Sequence, residues 1–254
     1  MLSRAAERVY WMGRYLERAE SMARLVSAYS NAMMDMPTDA KAQWANLIDI
    51  VGAREPFGKR YQKADERNVV KFLLADADNP GSVFTAVRAA RENVRTTREL
   101  VPAEAWDYVN LLFLAVAEQV PTALSRRNRF GFLQEVILRC QQITGLFEGT
   151  MSRDASYRFL RLGQSLERAD MTTRIVDTAL SLLMPAQETA PEHENILWVN
   201  VLKSLSGYQM YRQHVASRVM GYAVVRFLLH DRAFPRSVAT ALAASRISPV
   251  RSAE

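Results

Sequence analysis

Residues 3–26, SRAAERVYWMGRYLERAESMARLV, decide the fold class of this chain. Apolar side chains recur along them at alternating steps of three and four, the spacing that places residues on one face of an α-helix. Ser3 is a suitable N-cap, and Pro37 is expected to end the helix soon after Met34. The stretch predicts one long helix with a buried stripe, formed by Val9, Met12, Leu16, Ala19, Ala23 and Val26.

The rest of the chain has the same character. No stretch alternates apolar and polar residues between turn signals, so no strand is predicted. Asn79-Pro80 is expected to open a helix as N-cap and first residue. We predict an all-α fold, with one helix after Thr38 and others at about 66–75, 79–100, 102–120, 129–149, 153–184, 192–206, 208–229 and 235–246.

Composition narrows the class of protein without giving an activity. The chain has 254 residues, enough for a sizeable core. Its longest strongly apolar run is Leu111 to Ala117, which is too short to span a membrane, and no signal-peptide pattern opens the sequence. Cys140 is the single cysteine, so a disulfide framework is excluded. These features predict a cytoplasmic protein.

The basic excess is small and mixed with acids. There are 33 Lys and Arg against 27 Asp and Glu, a formal net charge of +6. Only Arg126, Arg127 and Arg129 cluster tightly, in a segment expected to be a loop. A basic stripe interleaved with aromatic residues is absent, which argues against a nucleic-acid-binding surface.

The sequence resembles itself in two blocks. At an offset of 150 residues, Gly13, Glu17, Arg18 and Arg24 match Gly163, Glu167, Arg168 and Arg174, among other identities, and Glu20 aligns with Asp170. At an offset of 155, VVKFLLADADNPGSVFTAV (69–87) matches VVRFLLHDRAFPRSVATAL (224–242). Two ordered blocks with similar offsets indicate a tandem duplication.

The duplication predicts one helical bundle, residues 1–254, with approximate two-fold symmetry. The first repeat covers about residues 1–125 and the second about 150–254. The second repeat is shorter, since Pro249 interrupts the helix that its counterpart continues, and we interpret this as a truncation.

A polar stripe is shared by both repeats. Its members lie four, three and four residues apart and therefore face one side of a helix. The stripe consists of Gly13, Glu17, Glu20 and Arg24, and again of Gly163, Glu167, Asp170 and Arg174. Under two-fold symmetry we expect the four acids and two arginines to converge near the axis, with the glycines allowing close approach of a backbone or a ligand.

Two main interpretations of this stripe remain open. In the structural one, Glu20–Arg24 and Asp170–Arg174 are i,i+4 ion pairs, and burial makes them a network that fixes how the halves dock. In the other, Glu17 or Glu167 is a general base in a catalytic or binding site. There a substrate carboxylate or phosphate is held by Arg18, Arg24, Arg168 or Arg174.

Metal and cofactor chemistry are not predicted. Di-iron bundles use Glu-x-x-His, and His193, His214 and His230 do not have that spacing. A hard cation held by oxygen ligands alone is the weaker remaining alternative. No Gly-rich phosphate loop, GxSxG, HExxH or CxxC is present, so no cofactor is expected. Cys140 lies in an apolar helical stretch and is interpreted as a core residue rather than a nucleophile.

At these residues the chain resembles the bacterial alpha-E domain family, an α-helical family named for its Glu-Arg motifs. The matching segments span nearly the whole chain. They are MLSRAAERVYWMGRYLERAESMARL (1–25), FLLADADNPGSV (72–83), ARENVRTTREL with AEAWDYVN (90–110), TMSRDASYRFLRLGQSLERADMTTRIVD (150–177) and FPRSV (234–238). Two departures are Tyr157, where the family often has Trp, and the early end of the chain.

The resemblance implies partner proteins rather than an activity of the chain itself. Alpha-E proteins resemble components of systems that also encode a circularly permuted ATP-grasp ligase and a transglutaminase-like peptidase. The resemblance therefore implies an accessory protein in peptide or amide-bond synthesis or modification. Its expected partner is one of these enzymes or a peptide, and no binding to a membrane or to nucleic acid is expected. The alternative is an enzyme that uses the duplicated Glu/Arg cluster for acid-base work on a carboxylate- or amine-bearing substrate.

Overall fold

The computed structural model describes residues 3–33, 44–183 and 191–244, without the side chains of residues 191–193. Within these ranges the chain is all-α and contains no strand. The helices are α1 (Ser3–Ala32), α2 (Trp44–Ile50), α3 (Arg54–Gly58), α4 (Glu66–Leu74), α5 (Val83–Arg95), α6 (Ala103–Ala123), α7 (Arg126–Thr150), α8 (Ala155–Leu183), α9 (Pro191–Ser204), α10 (Tyr208–His214), α11 (Gly221–His230) and α12 (Val238–Ala244). A short 3₁₀ turn, Arg98–Leu100, precedes α6.

Helix α1 is the centre of the bundle. It packs most extensively against α8, and also against α5, α7 and α9. All but one member of its predicted apolar stripe are fully buried, and Leu16 is only 2% exposed. The sequence prediction for this helix is therefore confirmed over the described residues, whereas the stop expected at Pro37 lies outside them.

Helices α1 and α8 approach until their backbones touch. A Cβ atom built on Gly13 would lie 2.3 Å from the carbonyl oxygen of Leu160, and one built on Gly163 would lie 2.1 Å from that of Tyr10. Both distances are far below any contact that a side chain tolerates. The two glycines therefore permit the crossing, as expected from the polar stripe. Since Tyr10 aligns with Leu160 at the offset of 150, the two contacts are reciprocal.

The start of α5 differs from the prediction. Ser82, not Asn79, is the N-cap, because its hydroxyl accepts a hydrogen bond from the amide of Thr85 at 3.1 Å. The Asn79 side chain instead stabilises the preceding turn, accepting from the Gly81 amide at 2.9 Å and donating to the Phe72 carbonyl at 2.8 Å. Helix α5 also ends earlier, at Arg95. Ser237 makes the matching cap on α12, 3.1 Å from the amide of Thr240.

Two further predictions of local structure were wrong, one of a helix and one of a loop. The helix expected over 208–229 is divided into α10 and α11, and the Tyr211 hydroxyl donates to the Arg218 carbonyl at 3.2 Å, which stabilises the loop between them. The arginine cluster expected in a loop lies in the first turn of α7. Arg126 and Arg129 both bind Glu66, and Arg129 is only 4% exposed, so the cluster is not a free basic patch.

Candidate functional site

The candidate site lies where α1 crosses α8, immediately beyond the glycine contact. Glu17 points from α1 towards α8 and accepts two hydrogen bonds from the guanidinium of Arg168, 3.1 Å from Nε and 2.6 Å from Nη2. It also accepts from Nη1 of Arg236 at 2.7 Å. The Glu17 side chain is 1% exposed. Both of its oxygens are thus engaged by arginines from other helices or loops.

Glu167 makes the reciprocal arrangement from α8. Its carboxylate accepts from Nε and Nη2 of Arg18, the latter at 3.0 Å, and from Nε of Arg14. Its side chain is 4% exposed. The Glu of each Glu-Arg pair therefore binds the Arg of the other pair. The predicted duplication implies this reciprocity, but the duplication itself stays an inference from the sequence.

Glu20 extends the cluster along α1. Its Oε1 accepts from Nε and Nη2 of Arg24, at 2.9 and 2.7 Å, and from Nη2 of Arg236 at 2.8 Å. Glu20 is 5% exposed. The i,i+4 pair predicted from sequence is confirmed, and Arg24 continues to the hydroxyl of Ser206 at 2.6 Å. Arg236 thereby joins two acids of α1.

Asp170 departs from the expected convergence. It pairs with Arg174 at 3.0 Å, as the i,i+4 spacing predicts, but the two side chains remain 41% and 43% exposed. The sealed cluster therefore holds three of the four acids and five arginines. Its members are Glu17, Glu20 and Glu167 with Arg14, Arg18, Arg24, Arg168 and Arg236.

The sequence interpretation missed two of these arginines as partners of the cluster. Arg14 lies one helical turn before Arg18 and so faces the same side, but its counterpart is Gln164, and the repeat gave no signal for it. Arg236 lies in the FPRSV segment (234–238), in the turn before α12. Its counterpart is Gly81, so comparison of the repeats could not reveal its role.

The electrostatics favour the charged forms of Glu17 and Arg168. Burial by itself would raise the pKa of Glu17, but the charges and hydrogen bonds of Arg236 and Arg168 outweigh it and lower that pKa to about 2. Burial opposes the charge of Arg168 in turn, yet Glu17 keeps the pKa of that arginine raised. Burial raises the pKa of the nearby Cys140 thiol, which is 1% exposed and packs in the core as predicted.

Acid should weaken this cluster. Because the folded-state pKa of Glu17 lies below its ordinary value of 4.5, the ionised carboxylate stabilises the fold above about pH 4.5, and this contribution is lost as the pH falls towards 2. The loss from this residue is expected to be about 3 kcal/mol. Urea unfolding between pH 6 and 2 should show it. In Glu17→Gln the free energy of unfolding should depend less on pH over this range. The same pH dependence in the variant as in the wild type would contradict the pairing of Glu17 with Arg168 and Arg236.

The cluster leaves little room for a bound group. Among the described residues, no group of three or more His, Cys, Asp or Glu side chains is placed to hold a metal ion. A cavity of about 280 Å³ lies at the edge of the cluster, bordered by Glu167, Asp170, Arg18 and Arg174. Of the residues predicted for binding, these four border the cavity, and Asp170 and Arg174 are the two with substantially exposed side chains.

The fold and site define an all-helical protein in which two Glu-Arg pairs on crossing helices bind each other. The chain belongs to the Alpha-E family, described as a predicted alpha-helical domain with a conserved ER motif, whose model matches residues 1–248. Glu17-Arg18 and Glu167-Arg168 are Glu-Arg pairs of this kind. The resemblance predicted from sequence is confirmed.

The chain is similar to three mycobacterial proteins whose names describe them as uncharacterized. The chain is 24% identical over 248 residues to uncharacterized proteins of Mycobacterium bovis and of Mycobacterium tuberculosis strain CDC 1551, and 23% identical to one of strain H37Rv. Each alignment covers 91% of this chain but 28% of the relative, so the chain spans little more than a quarter of their length. No solved structure matches. Within the described residues, every helix is too short or too polar to cross a membrane.

Proposed function

We propose that this chain is a helical accessory protein that binds an ATP-grasp ligase, a transglutaminase-like peptidase or the peptide on which they act. Its role would lie in peptide or amide-bond synthesis or modification. The observation that best supports the proposal is the sealed Glu-Arg cluster. Its acids and arginines pair with each other across α1 and α8 and so stabilise the contact between these helices. In this proposal the Glu-Arg motif stabilises a scaffold that binds a partner, and the partner catalyses the reaction.

The geometry does not favour the alternative in which these acids are catalytic. A general base works best when its pKa lies near the working pH, and that of Glu17 is lowered to about 2. Glu17 and Glu167 are 2% and 3% exposed, so a substrate cannot reach their oxygens without breaking ion pairs. The catalytic candidates named from sequence therefore have the properties of structural acids.

Two further points support an accessory role. The matching region makes up only 28% of the mycobacterial relatives, which agrees with a module that works beside other protein parts. The resemblance to the alpha-E family supplies the class of partner. We place this work in the cytoplasm, where a ligase finds ATP and Cys140 stays reduced.

Co-purification tests the proposal. Tagged chain, used as bait in a lysate of the organism that encodes it, is expected to retain an ATP-grasp ligase or a transglutaminase-like peptidase, identified by mass spectrometry. The matched control bait is Gly163→Val, in which the α1–α8 crossing is sterically blocked. Each recovered enzyme is then purified and mixed with the chain for size-exclusion chromatography. Recovery of neither enzyme and of no peptide on which they act, or equal recovery on the control bait, would contradict the proposal.

A further inference from the structure

The guanidinium of Arg236 occupies a defined seat between two acids. It comes from the turn before α12 and enters the cluster with Nη1 2.7 Å from Glu17 and Nη2 2.8 Å from Glu20. Its Nη1 also lies 3.4 Å from the hydroxyl of Ser21, and its backbone carbonyl accepts from the hydroxyl of Thr172 at 2.9 Å. This seat is built for one flat, bidentate cation.

The first half of the chain has a cavity at the corresponding place. At the offset of 155 residues Arg236 aligns with Gly81, which has no side chain to project. The cavity beside Gly81 measures about 280 Å³. Since a water molecule takes up about 30 Å³, this is room for several waters or for one side-chain-sized group. It is bordered by the counterparts of all four residues that Arg236 touches, namely Glu167, Asp170, Met171 and Met22.

The cavity is bordered by two acids, Glu167 and Asp170, and by two arginines, Arg18 and Arg174, and of the two acids Asp170 has the fewer partners. Glu20 carries two guanidiniums, from Arg24 and Arg236, whereas its counterpart Asp170 pairs with Arg174 alone among the described residues. Arg14 already supplies the second guanidinium of Glu167. Asp170 therefore has acceptor capacity at the mouth of the cavity, and its side chain is 41% exposed to an incoming group.

We propose that this cavity binds a guanidinium group brought by another molecule, seated against Asp170 as Arg236 is seated against Glu20. An arginine side chain within a peptide and free arginine carry the same group. Arg174 does not oppose this binding, because Glu20 holds Arg24 and Arg236 together on one carboxylate. The inference deepens the proposed function and rests on it only for the source of the arginine.

Binding is tested by titrating ¹⁵N-labelled chain with Nα-acetyl-arginine amide, free L-arginine and Nα-acetyl-citrulline amide. Citrulline keeps the shape of arginine but carries no charge. Shifts are expected at Gly81, Asp170 and Met171 with an arginine probe, and at least about tenfold weaker binding with the citrulline probe. Tighter binding of the amide identifies a peptide source, and tighter binding of free arginine identifies the amino acid. Absence of binding by both, or equal binding of citrulline, would overturn the proposal.

Variants at Gly81 give an independent readout. Gly81→Arg supplies the guanidinium from the chain itself, and a Cβ there meets only the Asn79 side chain, at 3.3 Å. Relative to Gly81→Ala, which removes the same backbone freedom, Gly81→Arg is expected to raise Tm by about 2–4 °C and to abolish arginine binding. Gly81→Ala should still bind. Asp170→Asn should weaken binding at least about tenfold and leave Tm nearly unchanged, and wild-type affinity in both Gly81→Arg and Asp170→Asn would overturn the proposal.

The co-purification and the titration test different proposals, so the failure of one can be told apart from the failure of the other. Arginine binding with neither an enzyme nor a peptide recovered leaves the cavity assigned and contradicts the accessory role. Recovery of an enzyme with no arginine binding contradicts the cavity alone. If both succeed, the Gly81→Arg bait reports whether the partner's arginine enters the cavity, because that bait should then lose the partner that the Gly81→Ala bait retains.

Discussion

Replacing Gly163 by alanine is expected to destabilise the protein by about 3 kcal/mol, the upper end of the usual cost of overpacking. The added methyl group would lie 2.1 Å from the Tyr10 carbonyl oxygen and 3.1 Å from the Arg14 amide nitrogen. These atoms belong to the backbone of α1, so relief requires the two helices to separate. Urea unfolding followed by circular dichroism measures the change.

Gly145→Ala is the matched control for this prediction. Gly145 lies within α7 and is exposed, and a Cβ built there meets nothing within 4 Å. Alanine at a free helical position is favoured over glycine by up to about 1 kcal/mol, so the control should stabilise. If both variants shift stability in the same direction, the close crossing of α1 and α8 is wrong.

Glu17→Gln is the second change with a large expected effect, a destabilisation of about 3–5 kcal/mol. Glutamine keeps the size of the side chain but removes the charge that Arg168 and Arg236 share, at a position that is 2% exposed. Two guanidiniums then remain largely buried with less compensation. Denaturant unfolding of the purified variant gives the value.

The same variant separates the structural from the catalytic interpretation. A catalytic acid can be neutralised without much loss of stability, so unchanged unfolding together with lost function would favour an enzyme. Glu55→Gln is the control, since Glu55 forms an i,i+4 pair with Lys59 on the surface and its side chain is 79% exposed. That change should barely move the unfolding midpoint.

The sequence could predict which face of each long helix is buried. The apolar stripe of α1 repeats over many turns, and such a long pattern leaves little doubt about which face is buried. Helix ends were harder, because the choice between Asn79 and Ser82 as N-cap depends on which side chain meets a free amide. The loop between α10 and α11 is bridged by a hydrogen bond from the Tyr211 hydroxyl to the Arg218 carbonyl, seven residues later, which the apolar periodicity does not reveal.

The candidate site was predictable in composition but not in connectivity. The repeated stripe located Glu17 and Glu167 and suggested that the glycines allow close approach. It did not show that each acid binds the arginine of the opposite motif, because that depends on how the two helices cross. It also could not show that Asp170 stays open while its counterpart Glu20 is sealed, since Gly81 and Arg236 differ at the deciding position.

The most direct test is the coupling free energy between Glu17 and Arg168, from a double-mutant cycle of Glu17→Gln, Arg168→Gln and the double variant in urea. The side chains lie 2.6 Å apart and are 1% and 14% exposed. The reciprocal pairing of the Glu-Arg motifs predicts a favourable coupling of about 1–3 kcal/mol. Additive effects, with a coupling below about 0.3 kcal/mol, would contradict it.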